Sequence, residues 1–355
     1  EQSGTPKYNI PVLTAGWGGF GVGLNFVSPR APAFGAEIVA ATYPRVKCFK
    51  TFIYDAAYLS ALKEVGATHV MVGVPNEELA DIASDLSHAD RIVNKLAPFA
   101  ASMRLSIAVS TQPLAMWHDG KYAPHLVNAV RNMRVAIESA GLTEIIKVTV
   151  PHVFELLGTS YPPADGAFKP EHADIVRNIS QMIRDDGGFF TVNIYPWFTY
   201  KANPGVISLD YALLKESHTV DGVTYNLMTA QLAAVRAALL KLDATFTEAN
   251  LPIVVGETGW PTAGHADATV SNAATYINNA AQMGIDGLID MFLFEAFDEP
   301  SKTAIPGTLQ DNTEEKNFGL LEQSGTPKYD VPSLTSPRSC SSSAPLPSPS
   351  AIPLP

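Results

Sequence analysis

Eight short apolar runs, separated by segments of helical periodicity, constrain this chain more than any other feature. The runs are Gly19–Phe26, Val46–Tyr54, His69–Gly73, Leu105–Thr111, Ile145–Val150, Phe189–Tyr195, Pro252–Glu257 and Leu288–Phe294. They are rich in Val, Ile and Phe and mostly continuous rather than alternating, as expected of parallel strands covered on both faces. Between them, "PHLVNAVRNMRVAIESAG" carries Leu126, Val130, Met133 and Ile137 at three- and four-residue spacing, with a proline early and Gly141 at its end. "NLMTAQLAAVRAALLKL" repeats the pattern with Leu227, Leu232, Val235 and Leu239. Eight strands alternating with helices predict an α/β fold, a (β/α)8 TIM barrel. A doubly wound open sheet is the other arrangement that fits. No helix, however, is opened by a Gly-rich phosphate loop, and "GWGGFGVG" at residues 16–23 precedes a strand instead of following one.

The 355 residues suffice for one large α/β domain or two ordinary ones. An internal repeat bears on that choice. Residues 1–13 read "EQSGTPKYNIPVL" and residues 322–334 read "EQSGTPKYDVPSL". The second copy follows "KNFGLL" and reads as the closing segment of a domain. The first then reads as the tail of a preceding repeat unit, with a period near one domain length; duplication of a short adhesive segment is the alternative. The expected organisation is a tail at 1–13, a barrel over 14–334, and a Ser/Pro-rich linker or tail over 335–355 that cannot bury a core.

Charge narrows the partners. A formal net charge of -11 argues against nucleic acid and anionic membrane, which need clustered Lys and Arg, and is compatible with a neutral polysaccharide. No run of 18 apolar residues predicts a membrane span. The eight histidines never take metal-ligand spacing, so neither metal nor organic cofactor is expected. Cys48 and Cys340 read as two unpaired thiols. No signal-peptide pattern is visible in a chain that starts on Glu1. Asn178 of "NIS" is a glycosylation sequon, weak support for a secretory route.

In such a barrel the carboxyl ends of strands carry the chemistry. "IVVGETGWP" places Glu257 after an apolar strand and Trp260 just beyond it. A carboxylate there is costly unless partnered or working, although a Glu that caps the next loop is the plainer reading. "NIYPWFTY" groups Tyr195, Trp197 and Phe198, as a sugar-binding face or as stacked core rings; Tyr195 and Trp197 point the same way if the strand continues. "FLFEAFDEP" brings Glu295, Asp298 and Glu299 beside Phe294 and Phe297, with Lys302 next.

Together "IVVGETGWPTAG", "NIYPWFTYKANPGVISLDYAL", "FLFEAFDEPSK" and "EEKNFGLL" resemble glycoside hydrolase family 17, the β-1,3-glucanases and glucanosyltransferases. "FIYDAAYLSAL", "VGVPNEEL" and "AGLTEIIKVTV" add support, and the likeness spans most of residues 19–331 in the family's order. The resemblance implies a (β/α)8 barrel that cleaves β-1,3-glucan with retention, outside the cell or in the cell wall. It implies Glu257 as nucleophile and subsite contacts from Tyr54, Tyr195, Phe198, Glu299, Lys302 and Glu315. Trp197, Trp260 and Phe294 join these as aromatic candidates.

One departure stands out. The family's acid/base is the Glu of a Gly-Asn-Glu motif after the fourth strand, and here "IAVSTQPL" sets Ser110, Thr111 and Gln112 in those places. Thr111 thereby replaces an Asn that contacts the sugar. Retaining cleavage uses two carboxyl groups about 5 Å apart, and an amide cannot donate the proton the leaving oxygen needs. An engineered knockout would change the Glu alone, whereas all three letters differ. A neighbouring acid such as Glu295 or Asp298 could substitute. The reading carried forward is drift at this motif, giving an impaired glucan endo-1,3-β-glucosidase or a catalytically inactive β-glucan-binding domain in a tandem array. A scaffold role unconnected with carbohydrate is the third class, and absence of glucan affinity would favour it.

Overall fold

Each of the eight apolar runs forms a strand in the computed structural model, which describes residues 19–303 and 312–335. The strands are β1 Val22–Asn25, β2 Cys48–Thr51, β3 His69–Val74 and β4 Arg104–Val109. β5 Ile146–Thr149 and β6 Pro151–Val153 follow, then β7 Phe190–Asn193, β8 Ile253–Thr258 and β9 Asp290–Leu293. All pairings within this sheet are parallel. Almost every strand residue is buried, because helices cover the outer face and other strands the inner one.

The fifth run does double duty. β5 pairs with β4, Ala108 opposite Thr149, while β6 pairs with β7, His152 opposite Val192. Only Val150 separates β5 from β6, so one stretch of chain serves both neighbours in succession. With β9 paired to β1, Val22 opposite Met291, nine segments make the eight-stranded barrel. Pro151, which has no N–H to give, is tolerated as the first residue of its segment.

The barrel interior is layered. Cys48, Met71, Ala108, Phe189, Val254 and Phe292 form an apolar plug, with Phe20 packed against it. Two residues along the strand from Cys48, on the same inward face, stands Lys50, fully buried. Above the plug the interior thus turns polar toward the carboxyl ends of the strands.

The helices follow the sequence pattern. Ala123–Ser139 buries Leu126, Val130, Met133 and Ile137, and Leu227–Leu242 buries Leu227, Val235 and Leu239, with Leu232 partly covered. Asn226 caps the latter, its Oδ1 accepting from the Thr229 amide at 2.9 Å. The second copy of the repeat packs onto the barrel. Val331 and Leu334 are fully buried, and Lys328 Nζ donates to Asp298 Oδ1 at 2.7 Å, Thr262 Oγ1 at 2.8 Å and the Asn317 carbonyl at 3.1 Å. The first copy at residues 1–13, residues 336–355 of the Ser/Pro-rich stretch, and Cys340 lie outside the described residues. Cys48 is buried and unpaired. Among the described residues no helix is long and apolar enough to cross a membrane, and no group of three His, Cys, Asp or Glu could hold a metal ion.

Candidate active site

Glu257 closes the interior of the barrel. A register shift in β8 between Val255 and Glu257 sets it opposite Asn193 of β7, re-aiming the side chain as bulges do. Its carboxylate is held at both oxygens: Lys50 Nζ lies 2.5 Å from Oε1, and Tyr195 Oη donates to Oε2 at 2.9 Å. Lys50 is placed in turn by Asn25, whose Oδ1 accepts from Nζ at 3.1 Å while its Nδ2 bonds the carbonyls of Gly256, Phe292 and Leu293. Burial lowers the Lys50 pKa, and attraction to Glu257 works against that shift. The Tyr195 hydroxyl is pushed well above its ordinary value, by burial first and then by the negative charge of Glu257 and Glu315. It therefore stays a donor to the carboxylate.

An aromatic wall stands beside this pair. Tyr195 packs against Phe198 at 5.1 Å, Phe318 at 5.9 Å and Phe294 at 6.0 Å between ring centroids. Lys302 Nζ sits 4.1 Å from the Phe294 ring centre, within cation–π range. Lys302 also bonds Glu295 at 3.0 Å and Glu299 at 2.6 Å. Burial opposes its charge, but those carboxylates outweigh it and raise its pKa. Glu315, buried near Lys302, Glu257 and Glu314, is raised to about 7, chiefly by burial.

Two aromatic candidates turn out to be support rather than surface. The strand ends at Asn193 and Pro196 opens a helix over Pro196–Ala202, so strand alternation does not carry on to Trp197. Trp197 and Trp260 are both 0% exposed and meet edge to face at 4.8 Å. Their indole N–H groups bond inward, to Glu314 Oε2 at 3.3 Å and the Asp267 carbonyl at 3.0 Å. Neither ring has a face free for a sugar; they hold up the wall that Tyr195 and Phe198 present. Tyr54 lies at the rim, where its hydroxyl donates to Glu78 Oε2 at 2.7 Å.

The two neighbouring acids, Asp298 and Glu295, are each paired with a lysine, although Glu295 Oε2 is buried without a hydrogen-bond partner. Asp298 accepts from the Gly319 amide at 2.9 Å and from Lys328, which ties it to the closing segment. Glu295 is 1% exposed, and its pKa is raised well above the usual range, first by burial, with Lys302 opposing.

At the end of β4 the backbone is unusual. Ser110 has φ 78° and Gln112 φ 51°, both in the left-handed region that favours glycine. Asn76 clamps this turn. Its Oδ1 accepts from Ser110 Oγ at 2.5 Å and the Thr111 amide at 2.7 Å, and its Nδ2 donates to the Thr111 carbonyl at 2.9 Å. The Gln112 amide donates to the Pro151 carbonyl at 2.9 Å, pinning the turn to β6.

From Gln112 a cavity of 340 Å³ runs to Tyr195, with Trp117, Glu155, Asn193 and Gln231 among its lining residues. Both side-chain atoms of Asn193 and the Oε1 of Gln231 are buried without a hydrogen-bond partner. Buried polar atoms without a partner are rare and costly, and these, beside a Gln231 Nε2 that donates to Thr199 Oγ1 at 2.8 Å, line a space that a hydroxyl-rich ligand can fill.

The family model for glycosyl hydrolases family 17 matches residues 35–333. The chain belongs to this family. A glucan endo-1,3-β-glucosidase of Vitis vinifera is 36% identical over 274 residues, 74% of this chain and 76% of that protein. The basic vacuolar isoform from Nicotiana plumbaginifolia is 36% identical over 294 residues, 79% of this chain and 77% of its own. Among solved structures, CJP38, a β-1,3-glucanase and allergen of Cryptomeria japonica pollen, aligns with TM-score 0.78 and 31% identity over 87% of this chain and 98% of that one. Family 17 membership places the chain among hydrolases of O-glycosyl bonds and agrees with the barrel described above.

Sequence reasoning passed over Lys50, Asn25, Asn76, Glu155, Asn193 and Gln231. A lysine inside the apolar run "VKCFKTFIY" was a usable signal, since a charge on a buried strand needs a partner. Glu155, Asn193 and Gln231 sit in segments whose letters say nothing about the cavity they share, and Asn25 and Asn76 act through side-chain bonds to distant strands and turns.

Proposed function

We propose that this family 17 barrel binds β-1,3-glucan, keeps Glu257 as its nucleophile, and turns glucan over slowly because the proton-donor position carries Gln112. The observation that carries this reading is the contrast between the two strand ends. The carboxylate at the end of β8 is fully engaged by Lys50 and Tyr195, while the end of β4 offers only an amide. Losing a general acid typically costs on the order of 10²- to 10⁴-fold in rate. Tyr54, Thr111, Phe198, Phe294, Glu299, Lys302 and Glu315 are the proposed subsite residues around this pair. The names of the relatives support the substrate class, and a glucan partner supports an extracellular or cell-wall location, where the exposed Asn178 could carry a glycan.

The test is reducing-end release from a soluble β-1,3-glucan by the unmodified protein, Glu257→Gln and Gln112→Glu. Weak activity that Glu257→Gln abolishes and Gln112→Glu raises is the expected pattern. No binding and no cleavage by any of the three would sink the proposal. A second reading, an inactive glucan-binding domain, is favoured by the same Gln112. It predicts glucan affinity with no release of aglycone from aryl β-glucosides, whose leaving groups need little protonation.

The repeat also acquires a physical reading. Lys328, Val331 and Leu334 anchor the second copy, and Lys7, Ile10 and Leu13 stand at the same places in the first. We infer that residues 1–13 carry what is needed to close another barrel of this kind. Deleting them should leave the melting temperature unchanged, whereas deleting 322–335 should unfold the protein. Equal damage from both deletions would assign residues 1–13 to this barrel instead.

A further inference from the structure

The segment that carries Gln112 is held at both ends by one side chain. Asn76, just after β3, accepts at Oδ1 from Ser110 Oγ at 2.5 Å and from the Thr111 amide at 2.7 Å. From there the backbone folds on itself. The Ala115 amide donates to the Gln112 carbonyl at 3.0 Å, and the His118 amide to the Ala115 carbonyl at 3.0 Å. The His118 ring then returns to the starting point, its Nε2 3.3 Å from Asn76 Nδ2. Between these two anchors Gln112, Leu114, Ala115, Met116 and Trp117 form one wall of the cavity. Atom types fix the direction of each bond. A backbone amide can only donate, so the Asn76 oxygen faces Thr111 and its NH2 group faces His118. His118 Nε2 therefore accepts, and the ring carries its proton on Nδ1.

We propose that His118 is a positioning residue for the glucan site: as a neutral ring it closes residues 110–118 onto Asn76, and on protonation it releases the wall that carries Gln112. The inference rests on the proposed β-1,3-glucan reading for its effect on binding, and on the Asn76 geometry alone for its tautomer. A protonated ring bears N–H at both nitrogens, so Nε2–H meets the Asn76 NH2 group donor to donor. Asn76 cannot answer by turning its amide over. Its Nδ2 also donates to the Thr111 carbonyl at 2.9 Å, and a turned amide would set NH2 against the Thr111 N–H and oxygen against the Thr111 carbonyl. The ring must leave instead. Its charged neighbours are Glu77 and Lys121, which the Tyr122 hydroxyl joins at 3.3 Å each. The Tyr122 ring meets His118 edge-on at 4.9 Å, and Trp117 lies at 5.9 Å. Burial lowers the His118 pKa, with Glu77 opposing and Lys121 adding. The closed form therefore holds at neutral pH, and release comes below the ordinary histidine value, as pH falls.

The experiment compares the unmodified protein with His118→Gln and His118→Phe. Nitrogen NMR of histidine-labelled protein reads the tautomer directly, and near neutral pH His118 should show a protonated Nδ1 and an acceptor Nε2. Affinity is read by calorimetry with a β-1,3-gluco-oligosaccharide, and as the half-saturating concentration of the dinitrophenolate burst from dinitrophenyl β-laminaribioside. His118→Gln presents Oε1 where Nε2 stood and does not titrate. It should match the unmodified protein near pH 7.5 and bind roughly 10-fold more tightly than it near pH 4.5. His118→Phe keeps a ring against Tyr122 but offers no acceptor. It should bind roughly 10-fold more weakly than the unmodified protein near pH 7.5, the gap closing as pH falls. Comparison at one pH cancels groups such as Glu315, Glu155 and His172, which all three proteins share. A His118→Gln to unmodified ratio that stays flat with pH overturns the assignment. So does His118→Phe binding as tightly as the unmodified protein near pH 7.5. Absence of binding by all three overturns the underlying glucan reading instead. The tautomer is then still decisive, because a proton on Nε2 near neutral pH overturns the closure whatever the ligand.

Discussion

Lys50 Nζ lies 2.5 Å from Glu257 Oε1 inside the barrel, joining residues 207 positions apart in the chain. Both are buried, and removing one partner of such a pair leaves the other charge unpaired in a poor solvent. Lys50→Met should therefore cost about 3–5 kcal/mol, read as a lower urea midpoint. The same change removes the ammonium that holds Glu257 Oε1, so any activity should fall as well. An unaltered midpoint would mean that the pair contributes nothing to the fold.

Tyr195→Phe separates position from hydrogen bonding. The ring stays against Phe198, Phe294 and Phe318, while Glu257 Oε2 loses its 2.9 Å donor. A hydrogen bond to a charged group is worth about 1.5–3 kcal/mol. Formation of the glycosyl-enzyme should thus slow by roughly 10- to 100-fold, measured as the dinitrophenolate burst rate. A change in stability without a change in that rate would make Tyr195 a packing residue only.

Trp197 and Trp260 supply the opposite expectation. Both indoles are fully buried and bond inward, so truncation removes packing rather than a sugar platform. Trp260→Ala should cost about 3–5 kcal/mol, and Trp260→Phe less, with glucan affinity preserved wherever the variant remains folded. Affinity lost at full stability would restore Trp260 as a contact residue.

These cases show where letters suffice. All eight strands can be read from the sequence because parallel strands buried on both faces are continuous apolar runs, and the helices because three- and four-residue spacing survives in Leu126 to Ile137. The split of the fifth run into β5 and β6 cannot, because the switch of partner at Val150 is set by barrel closure rather than local preference. The alternation that would set Trp197 beside Tyr195 holds only if the strand continues, and Pro196, which suits the first turn of a helix, ends it. Glu257 and Gln112 could be found from their motifs. Lys50 opposite Glu257, and Glu155 in the Gln112 cavity, depend on distant strands meeting and leave no local trace.

The turn at Ser110 offers a fourth check. A non-glycine residue at φ 78° carries backbone strain, here offset by the Ser110 Oγ bond to Asn76. Asn76→Ala removes that bond and both bonds to the Thr111 backbone, and should destabilise the protein by about 2–4 kcal/mol. Adding Ser110→Gly should recover about 1 kcal/mol, since glycine accepts the conformation freely. Urea midpoints of the single and double variants decide it; no recovery on adding glycine would show that the turn relaxes without the clamp.

Glu315 sets a pH dependence whose sign can be worked out. Its pKa rises from 4.5 to about 7 on folding, mainly through burial, with Lys302 opposing and Glu257 adding to the rise. Between these values the folded state holds a proton that the unfolded chain releases. The contribution of this group to stability therefore falls as pH climbs through the window, by on the order of 3 kcal/mol at most. His69 and His152, lowered to about 3 by burial, act in the opposite sense over part of the same range, so the total curve alone decides nothing. The difference between the unmodified protein and Glu315→Gln isolates the effect. Glu315→Gln should be little altered in stability near pH 4.5 and relatively more stable near pH 8, followed by urea denaturation at half-unit steps. A difference that stays flat with pH would mean that Glu315 is ionised in the folded protein throughout. Lys302 would then hold it charged against its burial.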